Sequence, residues 1–145
     1  NHKFCKFKKE EPRLREQEWS HGLRENNVDI DKIQLDRDLY GHFYYRFYGG
    51  ESCADTYDSV SDFIGTLHRD FQKDDFPDNC IIFGHGMTNR LFLMRWLHST
   101  VEEFEKWANP ENCEIWQLQK QNNDKYILVT ELKKHELKHN YQYKI

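Results

Sequence analysis

One stretch restricts the fold of this 145-residue chain more than any other: CIIFGHGMTNRLFLMRWL, residues 80–97. Cys80, Ile81, Ile82 and Phe83 run apolar without alternation, the pattern of a strand covered on both faces inside a parallel sheet. Gly84 closes the run. From Thr88 to about Leu97 the residues are apolar on nearly all sides, which predicts a buried helix. A strand that ends in Gly-His-Gly and feeds a helix puts His85 at the carboxyl end of a sheet, where α/β proteins hold their ligands. The glycines let backbone come close to a ligand, and the first N–H groups of the helix favour an anion, with the Gly86 or Met87 N–H as the contact. The plainer reading of His85 is a hydrogen-bonded edge or core residue.

The flanking segments alternate helix and strand periods without repeats, so the expectation is one α/β domain over residues 1–145. Residues 3–8, with Cys5 and Phe7 on one face, read as a strand ended by Pro12. Residues 28–40 read as a weakly periodic helix with Asn26 or Asn27 as its cap. Ala54, Tyr57, Val60, Phe63, Ile64, Leu67 and Phe71 recur at three- and four-residue steps, giving a helix with one buried stripe. Ser52 and Asp55 supply its capping box. DDFPDN, residues 74–79, is a turn. Ser99 and Thr100, each with Glu three residues later, start a short helix that ends before Asn109 and Pro110. Residues 113–119 and 125–130 read as two strands around the turn QNND, and residues 133–145 as a charged terminal helix or tail.

Composition weighs against several functions. A net charge of −4, and a single basic cluster, Lys3 to Lys9, followed at once by Glu10 and Glu11, argue mildly against a nucleic-acid partner. No apolar run approaches the ~20 residues of a membrane span, and the first nine residues lack the apolar centre of a signal peptide. Cys5, Cys53, Cys80 and Cys113 lie far apart with no CxxC pair, so free thiols in a reducing compartment are expected. Localisation is therefore read as intracellular, cytoplasmic or organellar.

Five segments in order, PRLREQEW (12–19), YYRFYGGES (44–52), the amphipathic helix, IIFGHGMTNRLFLMRWLH (81–98) and FEKWANPENCEI (104–115), resemble the histidine phosphatase superfamily. Within it they are most similar to the phosphoglycerate-mutase-like proteins of plants and fungi, over roughly residues 12–132. The resemblance implies a three-layer α/β/α fold and phosphoryl transfer through a phosphohistidine, without metal or other cofactor. His85 matches the second histidine of the phosphate pocket. Glu16, in Leu14-Arg15-Glu16, matches the acid that protonates the departing oxygen. A phosphoryl in flight spreads charge over three oxygens, so such a pocket works mainly by positioning and electrostatics. Arg46 matches a region lining the substrate mouth. Arg90, one turn into the helix, either reaches the phosphate or makes a buried salt bridge.

The Arg-His-Gly segment that carries the family's nucleophile does not occur among these residues. The expectation is an incomplete fold, the later two-thirds of the domain without its first strand and helix, with the sheet and the phosphohistidine completed by another chain or segment. The substrate would be a phosphorylated small molecule or a phosphoprotein. The rival is a catalytically inactive subunit with a scaffolding role in an assembly. Ser20 stands where many relatives have glycine, so the loop beside Glu16 is expected to differ.

Other features have plainer readings. HELKH, residues 135–139, matches the HExxH zinc pattern, yet only 140–145 follow it and a charged terminal helix explains the same letters. No metal site is expected. The aromatic run 41–50 and Trp96, Trp107 and Trp116 are read as packing. Glu51 and Ser52 are read as helix-capping rather than substrate-binding.

Overall fold

A computed structural model describes residues 7–19 and 29–134. Its elements in chain order are a 3-10 turn at Pro12–Leu14, α1 (Ile30–Tyr40), α2 (Cys53–Asp70), α3 (Gly86–Leu97), α4 (Val101–Lys106), β1 (Leu118–Lys120) and β2 (Tyr126–Leu128).

The long helix forms where its stripe and cap require. The Ser52 hydroxyl accepts from the Asp55 N–H, and the Asp55 carboxylate accepts from the Ser52 N–H at 2.7 Å, closing the expected box. Val60, Phe63, Ile64 and Leu67 are buried along one side, and that side packs on α3. Met87, Leu91, Leu93 and Met94 of α3 join Phe43, Cys53, Phe104 and Trp107 in the core. The expected short helix begins at the second of its two candidate caps: Thr100 accepts from Glu103 N–H, and the Glu103 carboxylate accepts from the Thr100 N–H. QNND is the turn of the hairpin, with Leu118 opposite Leu128 and Lys120 opposite Tyr126. Its strands are shorter than the sequence implied.

One reading of the first helix is corrected. The cap of α1 is Asp29, which accepts from Lys32 N–H at 3.1 Å; Asn26 and Asn27 lie outside the described residues. The buried residue of that helix is Arg37, whereas Leu35 and Leu39 face out. Arg37 lies over the rings of Trp19, at 5.2 Å, and Phe47, at 5.7 Å, so α1 docks by cation–π contact.

The larger correction concerns the predicted interior strand. Residues 80–83 are irregular, Ile81 is 79% and Phe83 88% exposed, and no described residue makes a backbone hydrogen bond to residues 80–84. A parallel strand exists only between neighbours, and the one sheet among the described residues is the β1–β2 hairpin. The parallel sheet of the expected three-layer arrangement is not built from these residues. Of the strand read at 3–8, residues 3–6 are outside the described set and 7–8 are irregular. HELKH and most of the 133–145 segment are also outside it. Its first two residues tie back to the core, with Ala108 N–H donating to the Lys133 carbonyl and Trp107 bridging Lys134. Cys53, Cys80 and Cys113 are free thiols, and no described helix is long and apolar enough to cross a membrane.

The segment 11–18 is fastened to α2 by Arg13. Its guanidinium grips both Glu11 oxygens at 2.7 Å, donates to Thr66 Oγ1 at 3.1 Å and lies over Phe63. These Arg13 hydrogen bonds hold the Glu11 carboxyl down to about 2, from 4.5. A depressed acid stabilises the fold above its unfolded value and loses that stabilisation as pH falls through its folded value. Wild type should therefore exceed Glu11→Gln by about 1 kcal/mol, the upper end for a solvent-screened pair. The difference should persist above pH 4.5 and vanish on titration to about 2. Urea denaturation of both proteins across that range measures it.

Candidate active site

The first turn of any α-helix carries N–H groups with no partner inside the helix, and its dipole favours negative charge there. In α3 these groups belong to Gly86, Met87 and Thr88, because the Asn89 N–H already reaches the His85 carbonyl at 2.8 Å. The Glu16 carboxyl occupies this end of α3. Its Oε2 accepts from Met87 N–H at 3.4 Å, and its Oε1 from Thr88 N–H at 3.2 Å, the Thr88 hydroxyl at 3.0 Å and the Gln17 N–H at 3.0 Å.

The local chain explains why Glu16 arrives there. Gln17, 2% exposed, donates to the Glu51 carbonyl at 2.8 Å and accepts from the Cys53 thiol. Glu18 and Glu51 exchange contacts: the Glu51 N–H donates to the Glu18 carbonyl, and the Glu51 carboxylate accepts from the Glu18 N–H, both at 2.9 Å. Arg15 pairs with Glu51 as well. The 13–18 segment is thus laced to the head of α2, with Glu16 turned to α3. Burial pushes the Cys53 thiol up to about 12, so this sulfur is a packing and hydrogen-bonding group, not a nucleophile.

His85 occupies the N-cap position of α3 in an extended conformation, with no side-chain capping bond. Its imidazole is exposed, and no described residue hydrogen-bonds it. Asparagine side chains lie against the glycines on either side. A Cβ on Gly84 would lie 2.3 Å from Asn89 Oδ1, and one on Gly86 would lie 3.4 Å from Asn109 Cγ.

The sequence-derived site residues divide accordingly. Glu16, His85, Gly86 and Met87 come together at the first turn of α3. The Met87 N–H, expected to meet a phosphate, is spent on Glu16, which leaves the Gly86 N–H without an acceptor among the described residues. Arg90 and Arg46 go elsewhere. Arg90 is 2% exposed; it donates to Asn109 Oδ1 at 3.0 Å and to the Phe104 carbonyl at 2.9 Å, with its guanidinium 4.4 Å from the Phe104 ring centre. Burial pulls its pKa down to about 10. Arg90 therefore pins α3 to α4 and holds Asn109 against Gly86. Arg46 donates to Asp55 at 2.6 Å and to the Gly50 carbonyl at 3.3 Å, tying the aromatic loop to the cap of α2. Glu51 and Ser52 organise the backbone, as expected. Sequence reasoning missed Thr88, Gln17 and Asn109, each of which positions a group it had named. The signal available was their membership in the quoted motifs.

The sequence matches the profile of the histidine phosphatase superfamily (branch 1) over residues 7–132. It is 38% identical over 130 residues to the broad-range acid phosphatase DET1 of Saccharomyces cerevisiae, a match covering 87% of this chain and 38% of that protein. Two Arabidopsis thaliana proteins are each 40% identical. The phosphoglycerate mutase-like protein AT74H aligns over 113 residues, 74% of this chain and 40% of its own. The phosphoglycerate mutase-like protein AT74 aligns over 114 residues, 74% and 35%. The chain thus spans less than half the length of the curated relatives it matches. No solved structure matches it.

The position of Arg90 predicts a loss of stability rather than of ligand contact. Arg90→Ala strands the Phe104 carbonyl and the Asn109 side chain and opens a hole beneath the ring. It should cost about 2–5 kcal/mol in chemical denaturation. Arg46→Ala, on the exposed side, should cost about 1 kcal/mol or less.

Proposed function

The chain belongs to the histidine phosphatase superfamily, and from that premise we propose that it is part of a phosphoglycerate-mutase-like domain that transfers the phosphoryl group of a phosphate monoester. The observation that carries this reading is the meeting of Glu16 with Met87 and Thr88 in the first turn of α3, two and three residues after His85. Acid, imidazole and helix terminus are the parts a phosphoryl pocket needs.

In the proposed step the ester P–O bond breaks as a P–N bond forms to the imidazole of a second histidine. That histidine is supplied by an Arg-His-Gly segment outside these 145 residues. Glu16 gives its proton to the departing oxygen, while the His85 ring and the Gly86 N–H hold equatorial oxygens. Water, giving a proton back to Glu16, then attacks phosphorus; the P–N bond breaks with its electron pair returning to the imidazole, and phosphate is released. No metal takes part. The alternative, an inactive scaffolding subunit, draws on the same missing nucleophile and is decided by the same assay. His85→Ala should lower turnover of an aryl phosphate by about 10²–10⁴-fold in the full protein. Equal rates in wild type and variant would remove His85 from the mechanism, and no turnover in either favours the scaffold.

The sheet is completed, in this reading, by strands from another segment or chain beside residues 80–83. Support comes from Ile81 and Phe83, large apolar side chains 79% and 88% exposed on a run with no backbone partner among the described residues. Large apolar side chains of an interior strand are buried. In the full protein Phe83→Ala should therefore cost about 3–5 kcal/mol in unfolding. A change within about 0.5 kcal/mol would mean that this surface faces water there too.

A further inference from the structure

The two oxygens of Glu16 are held unequally. Oε1 lies within hydrogen-bond distance of three donor groups, the Gln17 N–H, the Thr88 N–H and the Thr88 hydroxyl, at 3.0, 3.2 and 3.0 Å. Oε2 receives one, the Met87 N–H, at 3.4 Å. A carboxyl proton settles on the oxygen with fewer donors aimed at it, because a proton on the other would face the hydrogens of those donors. The last torsion of a glutamate is broad, so only such contacts decide which oxygen points where.

Thr88 supplies two of the three contacts that create the inequality. It is 0% exposed, at the third position of α3, and its hydroxyl also lies 2.8 Å from the Arg15 carbonyl. A hydroxyl has one hydrogen, so it donates to one of these two oxygens at a time. It can hold Oε1 without leaving the site when the charge on the carboxyl changes. We infer that Thr88 is a positioning residue for Glu16: its hydroxyl anchors Oε1, so that Oε2 is the oxygen that carries the proton and delivers it to the leaving group. This rests on the reading of Glu16 as the acid. As the P–O bond breaks, its electron pair stays on the leaving oxygen and takes the proton from Oε2. The phosphoryl passes to the histidine supplied from outside these residues.

The test compares two substrates in the full protein. Glycerol phosphate leaves as an alkoxide and needs the proton; p-nitrophenyl phosphate leaves as a stable anion and does not. Thr88→Val keeps the shape of the side chain and removes the hydroxyl. It should lower kcat on glycerol phosphate about tenfold or more with KM within about twofold, and lower kcat on p-nitrophenyl phosphate about twofold or less. Thr88→Ser should recover both. Equal losses on the two substrates, or no loss on either, would overturn the inference. If wild type turns over neither ester, the proposed function fails, and the positioning is judged by the Glu16 side-chain carboxyl ¹³C resonance. It should shift in Thr88→Val and return in Thr88→Ser. A resonance unchanged in Thr88→Val overturns the assignment.

Discussion

The carboxylate of Glu16 against the first turn of α3 joins parts of the chain 71 and 72 residues apart. Four donor groups converge on this one side chain, two of them N–H groups of α3 that have no partner inside the helix. The arrangement has little freedom elsewhere. Glu16 is held by the backbone of 15–18, that backbone by Glu51 and Gln17, and Glu51 adjoins the capping box that starts α2. α2 in turn packs along α3. The circuit closes on itself, so Glu16 and the start of α3 are set by the whole helix pair rather than by a local loop.

A second circuit runs behind the first. Arg90 lies under the Phe104 ring and orients Asn109, whose carboxamide rests against Gly86. A buried guanidinium loses hydration, and it is tolerated here because two of its nitrogens meet oxygens and its face meets an aromatic ring. Asparagine side chains thus flank His85 on both sides, Asn89 against Gly84 and Asn109 against Gly86.

Features that are local in sequence were legible in it. α2 followed from a stripe and a cap within twenty residues, and the hairpin turn from QNND. The family followed from motifs in order. Features that depend on what lies across space were not. Nothing in the letters distinguishes an arginine that faces a phosphate from one that stacks under Phe104, because both follow His85 at helical spacing. Arg37 was passed over for the same reason, since an arginine on a weak helix reads as surface. Thr88 was invisible because a helix-start threonine usually serves its own backbone. The run 80–83 was read correctly as apolar and uncharged, but strand pairing is a property of two segments, and the letters of one do not supply the other.

That run has a consequence for handling the molecule. An uncharged stretch of β-branched and aromatic residues with unmet backbone groups is the kind of surface through which identical chains pair edge to edge. Asp74, Asp75 and Asp78 stand immediately before it, and their like charges repel a second copy approaching in register. Solubility of material containing this surface therefore depends on the ionisation of a short acidic turn. Acid and high salt, which neutralise or screen it, are the conditions under which such material comes out of solution.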